Sequence, residues 1–174
     1  MINMKLKNEK YLEKGITLIS LSVTIVVLLI IAGIAFNTGS DSIKKAQLQE
    51  LETNMLLIKA KARGYVEEAT FKMGINPDEA KKEEVRNQVY GKGSDEGAQL
   101  EKVTSVPTEL GIADIATCYW LTTEAKEKWG LEKMKSEENE YLIKFDEVDV
   151  TVEVYNLNGY NGKYSLTEIE QIQN

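Results

Sequence analysis

The chain changes its hydrophobic rhythm three times. From Ile16 to Phe36 it reads ITLISLSVTIVVLLIIAGIAF, an apolar run bounded by Lys14 and Asp41 with no charge between them. At 1.5 Å per residue a helix of this length is about 31 Å long, close to the ~30 Å hydrocarbon thickness of a bilayer. The pattern predicts a transmembrane helix over 16–36. Beyond Ser40 the apolar positions thin out to Leu48, Leu51, Met55, Ile58, Ala62, Tyr65 and Ala69, spaced three and four apart. That is one stripe down an amphipathic helix, with Lys, Arg and Glu on the other sides. It predicts an extension of the helix over 37–70, either packed under a head domain or standing as an independent coiled-coil stalk.

The last hundred residues alternate short elements. Asn76-Pro77-Asp78-Glu79 predicts a helix start, with a cap, proline in the first turn and acids at the positive helix end, leading to a polar helix that reaches about Tyr90. The loop Gly91-Lys92-Gly93-Ser94-Asp95-Glu96-Gly97 reads as flexible, and its glycines lack the spacing and Lys-Ser/Thr ending of a phosphate cradle. Thr122 or Thr123 caps a second short helix that Gly130 ends, with Leu131 packing back. Tyr141, Ile143 and Phe145, then Val148, Val150, Val152 and Val154, alternate with polar neighbours as two half-buried strands parted by Asp146-Glu147, an antiparallel hairpin. Asn158-Gly159 and Asn161-Gly162 are turns that take the chain out of the sheet. Ser165-x-x-Glu168 is a capping box opening a C-terminal helix with Ile169 and Ile172 inward. The fold class is therefore α+β: a long N-terminal helix, then a head over 71–174 with an antiparallel sheet and short helices.

Composition narrows the chemistry. The 174 residues suit about one globular domain with an appendage, and 43% hydrophobic with 28% charged residues is an ordinary folded composition. With 28 acidic and 21 basic side chains, a net charge of −7 argues against direct nucleic-acid binding, which needs clustered Lys and Arg. There is no histidine, so the commonest general base and zinc ligand are missing. The one cysteine, Cys118, forms no intramolecular disulfide, and its apolar neighbours make it a buried thiol rather than a nucleophile. Asp146, Glu147 and Asp149 lack the spacing of a calcium loop and read as solvated turn acids; Glu137-Glu138 and Lys81-Lys82-Glu83-Glu84 read as wet surface. Trp120, Trp129 and the tyrosines read as core and edge residues, with Tyr155 and Tyr160 open to facing a partner instead. No catalytic residue, cofactor or metal is expected, and the chain is not expected to be an enzyme.

What precedes the apolar run decides among a secretory signal, cut at the small-x-small site Gly33-Ile34-Ala35, a plain signal anchor and a third class. The leader MINMKLKNEKYLEKG carries Lys5, Lys7, Lys10 and Lys14 against Glu9 and Glu13, which leaves residues 1–15 in the cytoplasm and sends the rest across. Lys14-Gly15-Ile16-Thr17-Leu18-Ile19-Ser20-Leu21, followed directly by the span, resembles the signal of type IV prepilins and pseudopilins. The resemblance implies cleavage after Gly15 by a prepilin peptidase, N-methylation of Ile16, and assembly through Thr17, Leu18, Ile19 and Ser20 against other pilin-like subunits, driven by a platform and motor. The helix would rest in membrane lipid before assembly, and the head would lie at the cell surface. Family members usually carry Glu where this chain has Ser20, and proline where it has Asn37; Ser20 fits a minor or tip subunit, or a lineage that assembles by packing alone, and its hydroxyl is suited to bond back to the preceding turn. The order of Tyr119-Trp120-Leu121, Gly130-Leu131, the hairpin and Lys163-Tyr164-Ser165-Leu166 also resembles pilin-like proteins of low-GC Gram-positive bacteria. The alternative is a single-pass membrane-anchored binding module that does not polymerise.

Overall fold

The structure, a computed structural model, describes the backbone of residues 2–134 and 140–173 and the side chains of residues 21, 23–29, 42–134 and 140–172. Glu137 and Glu138 lie outside them. Two compact units divide the chain, Met1–Gln47 and Leu48–Asn174. Helix α1, Ile2–Met73, contributes to both.

In the first unit the backbone is helical through the basic leader and on through Asn37-Thr38-Gly39-Ser40. Leu21, Val23 and Ile25–Leu29 expose their side chains. The Thr24 hydroxyl donates to the Leu21 carbonyl at 2.8 Å, which satisfies it inside the helix. Among the described residues no helix is long and apolar enough to cross a membrane. Side chains 16–20, 22 and 30–36 of the expected span lie outside those described.

The second unit is α+β. Its sheet has the order β1-β2-β3-β4-β5 and is antiparallel throughout: β1 Glu101–Lys102, β2 Cys118–Trp120, β3 Tyr141–Asp146, β4 Thr151–Tyr160 and β5 Lys163–Ser165. Met55, Ile58, Ala62, Val66 and Ala69 of α1 are fully buried and share one core with Tyr141, Ile143, Phe145, Val152 and Val154 of the sheet. The predicted stripe is thus the face that covers the sheet, with Val66 added to it. Met55, Ile58 and Val66 each contribute roughly 1.5–3 kcal/mol there by burial. The other sheet face is also covered. Leu142 and Cys118 pack with Val103 and Leu110 from the segment between β1 and β2, which carries the 3-10 turn Thr108–Leu110. So β3 is buried on both faces rather than half-buried.

Helix α2, Glu79–Val89, is capped by Asp78, whose carboxylate accepts from the Lys81 N–H at 2.8 Å. Pro77 therefore precedes the cap instead of occupying the first turn. The glycine loop after α2 folds back onto it: Gly93 N–H bonds the Asn87 carbonyl at 3.0 Å, Ala98 N–H bonds the Val89 carbonyl at 2.7 Å, and any Cβ at Gly97 would collide with the Gln88 carbonyl. Close backbone approach explains the glycine there. Helix α3, Thr123–Trp129, has Thr122 as its cap and Gly130 in the left-handed conformation at its end, with Leu131 buried beyond it.

The hairpin pairs β3 with β4, but its turn is the four residues Glu147-Val148-Asp149-Val150, closed by Asp146 opposite Thr151. The Asp146 carboxylate accepts from the Val148 and Asp149 N–H groups at 2.9 and 3.0 Å. Val148 and Val150 lie in that turn, not in a strand. Residues facing the main core are odd-numbered in β3 and even-numbered in β4, so the four-residue turn shifts the parity; Val148 and Val150 fall on the even positions that β4 buries, and the turn reads as the start of that strand. Asn158-Gly159 also departs from expectation: β4 continues through it, with an irregular register between Tyr155 and Tyr160. The turn between β4 and β5 is Asn161-Gly162, both at positive φ as a two-residue hairpin needs. It keeps the chain in the sheet.

The capping box of helix α4, Leu166–Gln173, is formed reciprocally, with Glu168 N–H donating to the Ser165 hydroxyl and the Glu168 carboxylate accepting from the Ser165 and Tyr164 N–H groups. Leu166 and Ile169 are buried, whereas Ile172 is 40% exposed because the last turn runs past the packed face. Those N–H groups, led by Ser165, hold the Glu168 carboxyl below its ordinary range. A depressed pKa stabilises the fold above the unfolded value and ceases to as the pH falls through the folded one. Protection factors of the amides in 166–173, which correct for the intrinsic pH dependence of exchange, are therefore expected to fall as the pH drops below the usual glutamate range, and Glu168→Gln is expected to flatten that dependence.

Candidate functional site

Two regions carry candidate function. The first is the segment that the sequence singles out. Gly15 and Ile16 lie on the helical backbone of α1, and the side chains of Ile16, Thr17, Leu18, Ile19 and Ser20 are outside those described. Cleavage between Gly15 and Ile16 requires the helix to open there. Glycine is about 1 kcal/mol worse than alanine in a helix interior, so Gly15 lowers the cost of opening at the bond in question.

The second is the polar interior of the head. Arg86 on α2 meets Glu147 in the β3–β4 turn with three contacts, Nε to Oε1 at 2.9 Å and to Oε2 at 3.2 Å, and Nη2 to Oε2 at 2.7 Å, and the two side chains are only 12% and 11% exposed. This fork-to-fork geometry is the strong form of the pair. It holds the guanidinium above its ordinary pKa despite burial. Glu147 is therefore a mostly buried, paired carboxylate, not a solvated turn acid. Nothing local distinguishes it from Asp146 or Asp149, because its partner lies 61 residues away.

Beneath the pair sits an aromatic cluster. Tyr90 stacks on Phe145 with ring centroids 3.9 Å apart, and Tyr119 meets both edge-on. The buried Tyr90 hydroxyl lies near Glu147 without reaching hydrogen-bond geometry. Burial first, then the Glu147 charge, pushes its pKa far above the ordinary phenol range, and burial does the same for Tyr119. Neither phenol donates or takes up a proton near neutral pH. Trp129 is buried and stacks on Tyr65, whereas Trp120 is only partly buried. Tyr155 packs against the second cluster and Tyr160 against the main core, so both are partly covered within the head.

Cys118 is fully buried, and burial raises its thiol pKa to about 11. A thiol that is neither ionised nor accessible is a poor nucleophile. An aromatic disulfide reagent is expected to find no reactive thiol in the folded chain and one after denaturation.

Two open clefts flank this interior. One, of about 640 Å³, runs between α2 and β1–β2 over Leu100 and Tyr119, and its rim charges are paired, Glu83 with Lys102 at 2.6 Å and Lys92 with Glu124 at 3.6 Å. The other, of about 420 Å³, lies where the end of α1 meets the β3–β4 turn. Among the described residues no group of three or more His, Cys, Asp or Glu is placed to hold a metal ion. The head is a helix-backed antiparallel α+β domain whose polar interior is built for cohesion. No family model, curated protein or solved structure matches the chain.

Proposed function

We propose that this chain is a structural subunit of a type IV pilus-like or pseudopilus filament, processed after Gly15 by a prepilin peptidase and assembled through its hydrophobic N-terminal helix. The reading is carried by one observation: Lys14-Gly15-Ile16-Thr17-Leu18-Ile19-Ser20 stands between a short basic leader and an uncharged run that continues to Ser40. Processing removes four lysines and two glutamates and leaves Ile16, N-methylated, as the new terminus. The span over 16–36 stores the subunit in the cell membrane, with residues 1–15 in the cytoplasm and the head outside. In the filament each span exchanges lipid for neighbouring spans, so its apolar surface never meets water. A head that folds by packing, with its one cysteine buried, suits an extracytoplasmic location. A platform and motor supply the work.

Ser20 favours a second reading. Without a carboxylate at that position the chain cannot pair its terminus with a neighbour by charge, which fits a minor or tip subunit, or an anchored binding module that never polymerises. Amino-terminal mass spectrometry of the chain from native membranes separates these. A methylated Ile16 supports the filament subunit, an intact Met1 the anchored module, and a start near Phe36 a secreted protein.

A further inference from the structure

The chain carries two Asn-Gly dipeptides close together, Asn158-Gly159 and Asn161-Gly162, and the fold treats them in opposite ways. Such a pair is prone to react with itself, because glycine has no side chain to shield its amide nitrogen from the neighbouring asparagine side chain. Asn158-Gly159 is locked. Its glycine N–H donates to the Asn156 Oδ1 at 2.8 Å, and the Asn158 amide donates to the Glu140 Oε1 at 3.2 Å. The same Glu140 oxygen accepts from the Asn156 Nδ2 at 2.9 Å, and Asn156 is buried. The Tyr164 ring closes over Gly159, 2.7 Å from where a Cβ would stand. Asn161-Gly162 is open. Both residues are exposed, and a Cβ at Gly162 would meet nothing within 4 Å. Among the described residues, neither the Asn161 side chain nor the Gly162 N–H makes a hydrogen bond. The turn is closed by Tyr160 opposite Lys163, and the register between there and Tyr155 is irregular. A turn held this way opens at less cost than the continuous ladder of β3 and β4.

We propose that Asn161 is a self-modifying site, which deamidates in the folded chain while Asn158 is preserved. The attack needs Asn161 to leave the left-handed conformation of the turn, so opening of the hairpin end gates it. The Gly162 nitrogen then attacks the Asn161 Cγ. An N–Cγ bond forms and closes a succinimide ring, the Cγ–Nδ2 bond breaks, and the nitrogen leaves as ammonia with the proton that Gly162 gives up. Water opens the ring in either of two ways. Hydrolysis at Cγ leaves an aspartate at this position, and hydrolysis at the main-chain carbonyl leaves an isoaspartate, with the chain running through Cβ. Either product adds a negative charge beside Lys163, whose ammonium pairs at 3.6 Å with Glu168, the carboxylate of the α4 capping box. An aspartate tolerates left-handed backbone and preserves the turn, whereas an isoaspartate lengthens the chain inside a two-residue loop that does not accommodate it. The modification accumulates with the age of the molecule, needs no partner, and stands apart from the filament reading.

The test is incubation of the detergent-solubilised full chain in mildly alkaline buffer, where hydroxide assists loss of the Gly162 proton, followed by trypsin and tandem mass spectrometry. The peptide 145–163 carries both dipeptides, so each sample holds its own control. Asn161 is expected to convert at least roughly tenfold faster than Asn158, the ratio that one hydrogen bond to a charged group supplies. Labelling by a protein isoaspartyl methyltransferase should fall on the same position. In urea, where the fold no longer distinguishes the two, the rates should converge. Glu140→Ala removes the acceptor of the Asn158 amide at a partly exposed position, and is expected to speed Asn158 severalfold while leaving Asn161 unchanged. Equal rates at the two positions in the folded chain, a faster Asn158, or no conversion of Asn161 overturns the proposal.

Discussion

Replacing Gly15 with leucine is expected to abolish maturation, leaving Met1 at the amino terminus of every membrane-associated molecule and no chain in shed or extracellular filaments. Two effects act together. Leucine stabilises the helix across the Gly15–Ile16 bond by about 0.5–1 kcal/mol, so the backbone opens less readily. It also places a branched side chain where a peptidase of the resembled kind accepts glycine. The leader keeps its four lysines and the span its length, so membrane insertion should not change. Mass spectrometry of the terminus reads the outcome directly. Unchanged processing in the Gly15→Leu chain would count decisively against the filament reading, and the anchored module predicts that no variant at this position matters.

The largest effect on stability is expected from separating Arg86 and Glu147. Arg86→Met leaves a carboxylate, and Glu147→Leu a guanidinium, in a site where each side chain is about one-tenth exposed. Breaking a buried pair by removing one partner typically costs about 3–5 kcal/mol. Against a total stability of about 5–15 kcal/mol for a domain, either single change should unfold a large fraction of the heads at moderate urea. The double variant Arg86→Met/Glu147→Leu is expected to recover most of the loss, because no unpaired charge remains and both side chains are apolar and of suitable size. Urea titration of the detergent-solubilised chain, followed by tryptophan fluorescence, measures all three. A loss below about 0.5 kcal/mol for both single variants would show that water reaches the site and solvates the remaining charge.

How far the sequence foretold the head depended on the range of the signal. The helix stripe from Leu48 to Ala69, a cap at Thr122 or Thr123, the Ser165–Glu168 box and the end of α3 at Gly130 are legible because their signals lie within a few residues, and the structure selects Thr122. The start of α2 lies two positions later than expected, since both Asn76 and Asp78 are competent caps and Asp78 is the one used. Val148 reads as a strand residue because it lies on the same even positions as Val152 and Val154, so the valine alternation of β4 extends backward into the turn. Asn158-Gly159 reads as an exit because the irregular β4–β5 pairing that accommodates it depends on β5. Glu147 reads as wet because its partner sits on another element.

The sequence by itself determined the class of every segment whose signal is local: an uncharged run of bilayer length, a basic leader ending in Lys-Gly-Ile-Thr-Leu, an amphipathic helix, capped helix ends and alternating strands. These follow from solvation and from backbone bonds that close within a turn or two. Only the tertiary structure decided which of several similar acids is mostly buried and that β3 is covered on both faces. Those outcomes depend on which distant surfaces come together, and burial, unlike helix capping, is a property of the neighbours rather than of the residue.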